Sequence, residues 1–122
     1  MKIDWNGIPE VAGARPGTSR RGICGDLISA QQVRNAVGTQ FDGKTHWHDN
    51  EQILIVTEGS CRIVIDGKET EAHPGDLVFF PARSRHAVIG CGPEGCAYYE
   101  LFAPARPDQL PGWVGQPVLR YD

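Results

Sequence analysis

From position 52 onward, apolar residues come in short β-rich runs, each closed by turn-forming chemistry. The runs are Gln52 to Thr57, Arg62 to Ile65, Asp76 to Phe80, His86 to Ile89 and Ala97 to Phe102. They are rich in Ile, Val, Phe and Tyr, which fit a pleated, half-buried surface. Glu58-Gly59, Asp66-Gly67 and Pro74-Gly75 fall between them. Asp66-Gly67 predicts a two-residue hairpin, because its turn type asks for positive φ at both central residues. Upstream, Gly25 to Ala36 predicts one or two further strands. No long stretch carries capped helical periodicity. Residues 1–21, with Pro9, Pro16 and several glycines, read as a lead-in arm, and residues 22–103 as the strand-bearing body. Residues 104–122, punctuated by Pro107, Pro111, Gly112, Gly115 and Pro117, read as an extended surface tail. Closely spaced short strands close into a sandwich or barrel, so the expectation is one all-β domain over 1–122.

Composition narrows the partners. A chain of 122 residues can bury a single core. No apolar run approaches a membrane span. The net charge is −3 and the basic residues are scattered, which argues against nucleic acid. The start, Met1-Lys2-Ile3-Asp4-Trp5, lacks the charged end and apolar stretch of a secretory signal, so the expected compartment is the cytoplasm. There Cys24, Cys61, Cys91 and Cys96 are expected as free thiols. No CxxC pair suggests a thiolate zinc site, although Gly92-Pro93-Glu94-Gly95 forms a turn that would set Cys91 and Cys96 across a hairpin.

The candidate chemistry sits in the histidines. Three of the four fall in two short stretches, His46-Trp47-His48 and His86, with His73 left over beside Pro74-Gly75 as a turn residue. Neutral imidazole is the commonest protein ligand for a transition metal. Residues i and i+2 of a strand share a face, so His46 and His48 can hold one ion together while His86 arrives from another strand. Trp47 then points away, toward the outside or a dimer contact. Trp5 and Trp113 are expected to anchor the terminal segments.

These spacings resemble the two motifs of a small single-domain cupin, a double-stranded β-helix or jelly-roll barrel. The first runs from Gly43 through His46 and His48 to Gln52 and Gly59; the second runs from Gly75 through Pro81-Ala82-Arg83 to His86 and Gly90. Arg83 stands where the family pattern has glycine, Gly90 where it has asparagine, and Gly43 is closer to His46 than usual. The resemblance implies one divalent transition metal (Zn, Ni, Mn or Fe) held by His46, His48, Gln52 and His86. An amide at position 52 replaces the family's usual glutamate and leaves the ion its full charge, favouring Lewis-acid chemistry over iron redox chemistry. A one-residue slip would make Glu51 the ligand instead.

The segment Glu100-Leu101-Phe102-Ala103-Pro104-Ala105-Arg106 resembles the closing strand of small cupins that open unsaturated uronate rings from pectin and alginate breakdown. Carried over by position, Glu100 would be the general acid/base, Phe102 would pack against the sugar and Arg106 would hold its carboxylate. Alternation independently places Tyr98, Glu100 and Phe102 on one strand face, with Tyr98 a second substrate contact. The implied function is a metal-dependent isomerase or lyase acting on a small oxygenated metabolite such as a sugar acid. An iron-dependent cupin dioxygenase and a non-catalytic small-molecule-binding cupin remain open. Cupins of this size resemble homodimers, and both faces of the Gln52 to Thr57 run are apolar enough for one to meet a partner.

Overall fold

A computed structural model describes residues 1–122. Seven strands carry the chain: β1 (Val11–Ala12), β2 (Thr18–Cys24), β3 (Ser29–Asn35), β4 (Glu51–Ile65), β5 (Lys68–Ala72), β6 (Leu77–Phe80) and β7 (His86–Ala103). The only helical pieces are 3-10 turns at Trp5–Gly7 and Pro107–Gln109. The strands are hydrogen-bonded in the order β1-β2-β3-β7-β4-β5, and β6 adds to β4. All pairings are antiparallel.

Two of the expected turns act as bulges inside long strands. Gln52 to Thr57 and Arg62 to Ile65 merge into β4; His86 to Ile89 and Ala97 to Phe102 merge into β7. The β4–β7 ladder shifts register at Val56/Glu58, Gly59/Cys61 and Arg62/Ile63. Each bulge bends the strand without breaking it, so one strand serves both ends of the barrel. Gly59 has φ +69°, and a Cβ there would overlap the Gly95 carbonyl oxygen, so this bend needs glycine. Asp66 and Gly67, at φ +48° and +81°, form the expected hairpin, with Ile65 opposite Lys68.

The sheet starts earlier than the sequence suggests. Residues 1–21 were expected as an arm, yet β2 begins at Thr18 and pairs with β3 over its whole length. Its inward positions carry Thr18, Arg20 and Gly22, so no apolar alternation marks it as a strand. The start of the arm is held by Trp5, whose ring stacks on Tyr99 with centroids 5.7 Å apart. Trp113 does not anchor the tail to the barrel: it is exposed, and its indole N–H donates to Gln116 O within the tail. Cys91 and Cys96 are also not free thiols. The 92–95 segment bulges out of β7 and brings their Cα atoms to 5.6 Å, and the two form a disulfide. Cys24 and Cys61 remain free, and burial pushes the Cys61 thiol up to about 12.

The core fills the inner face of the bent sheet. Leu54, Val56, Cys61 and Ile63 of β4 pack with Val33, Phe80, Cys96 and Tyr98. Residues directly opposite in antiparallel strands share a face. The register therefore aligns Gln52 with Phe102 and Ser29, Leu54 with Glu100, Gln31 and Gly22, and Val56 with Tyr98, Val33 and Arg20. The second and third rows turn polar away from β4, at Glu100, Gln31 and Arg20, and Gln52 adds a polar group from β4 itself. The site forms among these polar groups. No helix is long and apolar enough to cross a membrane.

Candidate metal centre and cavity

His46 and His86 are brought together by backbone pairing. His46 N–H donates to His86 O at 3.0 Å, and His86 N–H donates to His46 O at 2.9 Å. Trp47 pairs in the same way with Arg120, so residues 46–47 are clamped between β7 and the C-terminal tail. The Trp47 ring faces away from the imidazoles, between the guanidinium groups of Arg85 and Arg120 at 4.8 and 4.9 Å. Its N–H donates to Asp122. The outward orientation expected of Trp47 is met, with this chain's own tail as cover. A third clamp, Arg83 N–H to His48 O at 2.8 Å, fixes the other end.

The ligand atoms of His46, His48 and His86 lie within 4.8 Å of one another. His48 and His86 are almost fully buried, while His46 is half-buried at the mouth. Each buried ring is oriented by a carbonyl, which can only accept. His48 Nδ1 lies 3.0 Å from Asn50 O, and His86 Nδ1 lies 2.9 Å from Ser84 O. The His86 ring therefore carries its proton on Nδ1 and presents the Nε2 lone pair inward, the arrangement by which outer partners prepare an imidazole for a metal. His86 Nε2 is buried with no hydrogen-bond partner. Burial, reinforced by the neighbouring imidazoles, pulls His46 down to about 3 and His86 to about 4; burial also lowers His48. All three are neutral near pH 7, so protons do not compete for the lone pairs.

Gln52 lies against this group of imidazoles. It is buried and in register with Phe80 and Phe102, whereas Glu51 is exposed, so the slip that would present Glu51 does not occur. The Gln52 amide N–H donates to Glu100. Its Oε1 faces His48 Nε2 at 3.1 Å. Two ligand atoms each about 2.1 Å from one ion, at a right angle, are about 3.0 Å apart. An orphaned Nε2, an amide oxygen and a ring nitrogen at cis-ligand spacing, and three neutral imidazoles fit a divalent transition metal.

Glu100, Tyr98 and Phe102 lie on one face of β7, as alternation predicts, and line a cavity of about 120 Å³ with His46, Gln52 and His86. Glu100 accepts from Gln52 and, at 2.8 Å, from Gln31 Nε2. Burial raises its affinity for a proton, opposed by the Gln31 hydrogen bond and by Arg106, Arg20 and Arg15. Phe102 meets the His48 ring edge-on at 5.7 Å and lies under the Arg106 guanidinium at 4.9 Å. Arg106 does not pair with Glu100. Its Nε and Nη2 bind the Asp108 carboxylate at 3.3 and 2.9 Å, with both side chains almost fully buried. Tyr98 belongs to the core cluster as well as to the cavity wall. His73 is exposed beside Glu71, as a turn residue.

The sequence reading missed Arg20 and Gln31, which line the same cavity from β2 and β3. The available signal was the alternation Ser29, Gln31, Val33, Asn35, whose members are all buried. Polar side chains at three of those four positions hide the period from any hydrophobicity pattern.

The family model for the cupin domain matches residues 35–102. Among curated proteins, the chain is 29% identical over 85 residues to the pectin degradation protein KdgF of Dickeya dadantii (strain 3937), covering 69% of this chain and 72% of that protein. The solved structure of KdgF from Halomonas sp. is 25% identical with a TM-score of 0.70, covering 80% of this chain and 88% of that one. An RmlC-like cupin from Shewanella frigidimarina NCIMB 400 superposes with a TM-score of 0.76 at 23% identity, covering 88% of this chain and 94% of that one. The last likeness bears on the fold alone.

Proposed function

This chain belongs to the cupin domain family, and on that premise we propose that it is a metal-dependent isomerase or lyase acting on a small sugar acid. The observation that carries the reading is one cavity holding three neutral imidazoles, an amide oxygen and a carboxyl group hydrogen-bonded to that amide. His46, His48, Gln52 and His86 would hold the ion, which when bound supplies a Lewis acid for a substrate oxygen. Glu100 is the proton carrier. Its carboxyl group is oriented from two sides by Gln31 and Gln52, and it faces the cavity next to the ligand set. A positioned carboxyl typically contributes about a hundred- to ten-thousand-fold in rate. Phe102 offers a flat apolar surface to a sugar ring, and Tyr98 closes the cavity floor. Arg106, stacked on Phe102, contributes positive charge to the wall where a substrate carboxylate is expected.

The likeness to two KdgF proteins, one named for pectin degradation, supports unsaturated uronates as the first substrates to try. The test is direct assay of the metal-loaded protein on such uronates, following loss of the enoate absorbance. Turnover that disappears on chelation and returns with metal is the expected result. No consumption of any unsaturated uronate by fully metal-loaded protein would overturn the proposal.

We further propose a homodimer built on the outer face of the β4–β6 pair. Leu77 and Phe79 of β6 are exposed, opposite the half-buried Ile55 and Ile53 of β4. Tyr99 and Leu101 of β7 continue the strip. An apolar face of this kind on a sheet calls for cover. Sedimentation showing only monomer at micromolar concentration would refute it.

A further inference from the structure

Three buried side-chain nitrogen or oxygen atoms in the molecule lack a hydrogen-bond partner: Arg20 Nε, Gln31 Oε1 and His86 Nε2. All three residues line the same cavity. Buried polar groups are ordinarily paired, so three orphans around one space describe what that space is built to receive. His86 Nε2 is accounted for by the metal. The other two are a cationic donor and a neutral acceptor on neighbouring strands. In the β2–β3 ladder Arg20 stands opposite Val33 and Gly22 opposite Gln31, which puts Arg20 and Gln31 diagonally adjacent on the inner face. Gly22 has no side chain there, and the Leu110 side chain lies against it instead.

We propose that Arg20 and Gln31 form the ligand-recognition wall of this cavity, Arg20 binding a carboxylate and Gln31 Oε1 accepting from a neighbouring hydroxyl group. The proposal rests on the reading of the cavity as a small-molecule site. It moves the direct carboxylate contact from Arg106, whose Nε and Nη2 are already engaged by Asp108, to the guanidinium whose Nε–H is free. Arg20 is drawn below its usual range by burial and by the Arg106 charge, so an incoming anion relieves both burdens. A planar carboxylate is satisfied along one edge of a guanidinium. A phosphate needs donors on several sides, and the Gln31 oxygen beside Arg20 would repel one of its oxygens. Carboxylate next to hydroxyl is the pattern of a hydroxy acid, with Glu100 held on the opposite side of Gln31 by its amide N–H.

The test uses zinc-loaded protein titrated calorimetrically with D-galacturonate, D-galactose and inorganic phosphate. Galacturonate is saturated, so binding is read without the enoate chemistry. Wild-type protein should bind galacturonate more tightly than galactose or phosphate. Arg20→Gln should weaken galacturonate about tenfold or more and leave galactose unchanged, because a charge-assisted hydrogen bond is lost. Arg20→Lys should recover part of the loss, and Gln31→Met should weaken both sugars. Zinc content and melting temperature check that each variant folds. If Arg20→Gln does not fold, the ¹⁵N resonance of Arg20 Nε in wild-type protein should move on adding galacturonate. Galacturonate affinity within twofold of wild type in Arg20→Gln, an unmoved Nε resonance, or wild-type preference for phosphate or galactose would overturn the proposal. Failure to consume unsaturated uronates with this binding pattern intact would refute only the catalytic reading.

Discussion

The two walls of the cavity are built in opposite ways. One wall comes from β4, β7 and the 46–48 segment, and its side chains are neutral, oriented and mutually close. The other comes from β2, β3 and the segment after β7, and it carries Arg20 and Arg106, with Arg15 at the rim. On the first wall, backbone carbonyls fix the rings before any ligand arrives. On the second, one guanidinium is locked in a buried ion pair while another is left with a free N–H. On the function proposed above, the difference separates binding of an ion, which calls for a preformed site, from recognition of a substrate, which calls for unsatisfied groups.

The strongest break of the imidazole wall is His86→Ala. It should reduce bound metal from about one per chain to near zero by elemental analysis, with the fold retained by circular dichroism, since the ring supplies the orphaned Nε2. Full metal content in this variant would remove the site as drawn. Glu100→Gln, which stands between the walls, should keep its metal and lower turnover about a hundred- to ten-thousand-fold in a steady-state assay. Full activity would end its role as proton carrier.

Arg106→Ala probes the other wall. It leaves Asp108 buried without its partner, so denaturant unfolding should show a loss of about 3 kcal/mol or more. Arg20, which has no acidic partner among the ion pairs, should cost far less on substitution. Equal losses at the two positions would erase the distinction between a structural and a recognition arginine.

Acid should weaken the imidazole wall selectively. The pKa values of His46 and His86 are depressed in the fold, so the unfolded chain binds more protons over that range and stability rises with pH. The penalty for keeping these imidazoles neutral is absent above about 6.5 and grows as pH falls toward about 3. Metal-free protein should therefore lose unfolding free energy between these limits, and a His46→Ala, His86→Ala double variant should lose less. The smallest effect concerns Arg83, which holds φ +65° where the family pattern has glycine and whose N–H anchors His48. Arg83→Gly should raise stability by about 0.5 kcal/mol, relief of the left-handed conformation slightly exceeding the extra chain entropy. A rise in melting temperature with unchanged metal content is the expected reading.

What the sequence determined by itself is local. The shared face of His46 and His48, the Asp66-Gly67 hairpin and the shared face of Tyr98, Glu100 and Phe102 follow from periodicity and turn chemistry, which act within a few residues. Gln52 as a ligand came from the resemblance to the cupin motif, with Glu51 left open as a one-residue slip, and the structure buries Gln52 while exposing Glu51. Long-range pairing decided the rest. It turned Glu58-Gly59 and the 92–95 segment into bulges rather than strand ends, joined Cys91 to Cys96, clamped His46 against His86, and bound Trp47 to the C-terminal tail. It also folded residues read as an arm into β2, setting Arg20 beside Gln31 across a ladder whose inward positions are mostly polar. A strand that faces a ligand cavity has no apolar period to announce it, so only its partners in the sheet reveal which way its side chains point.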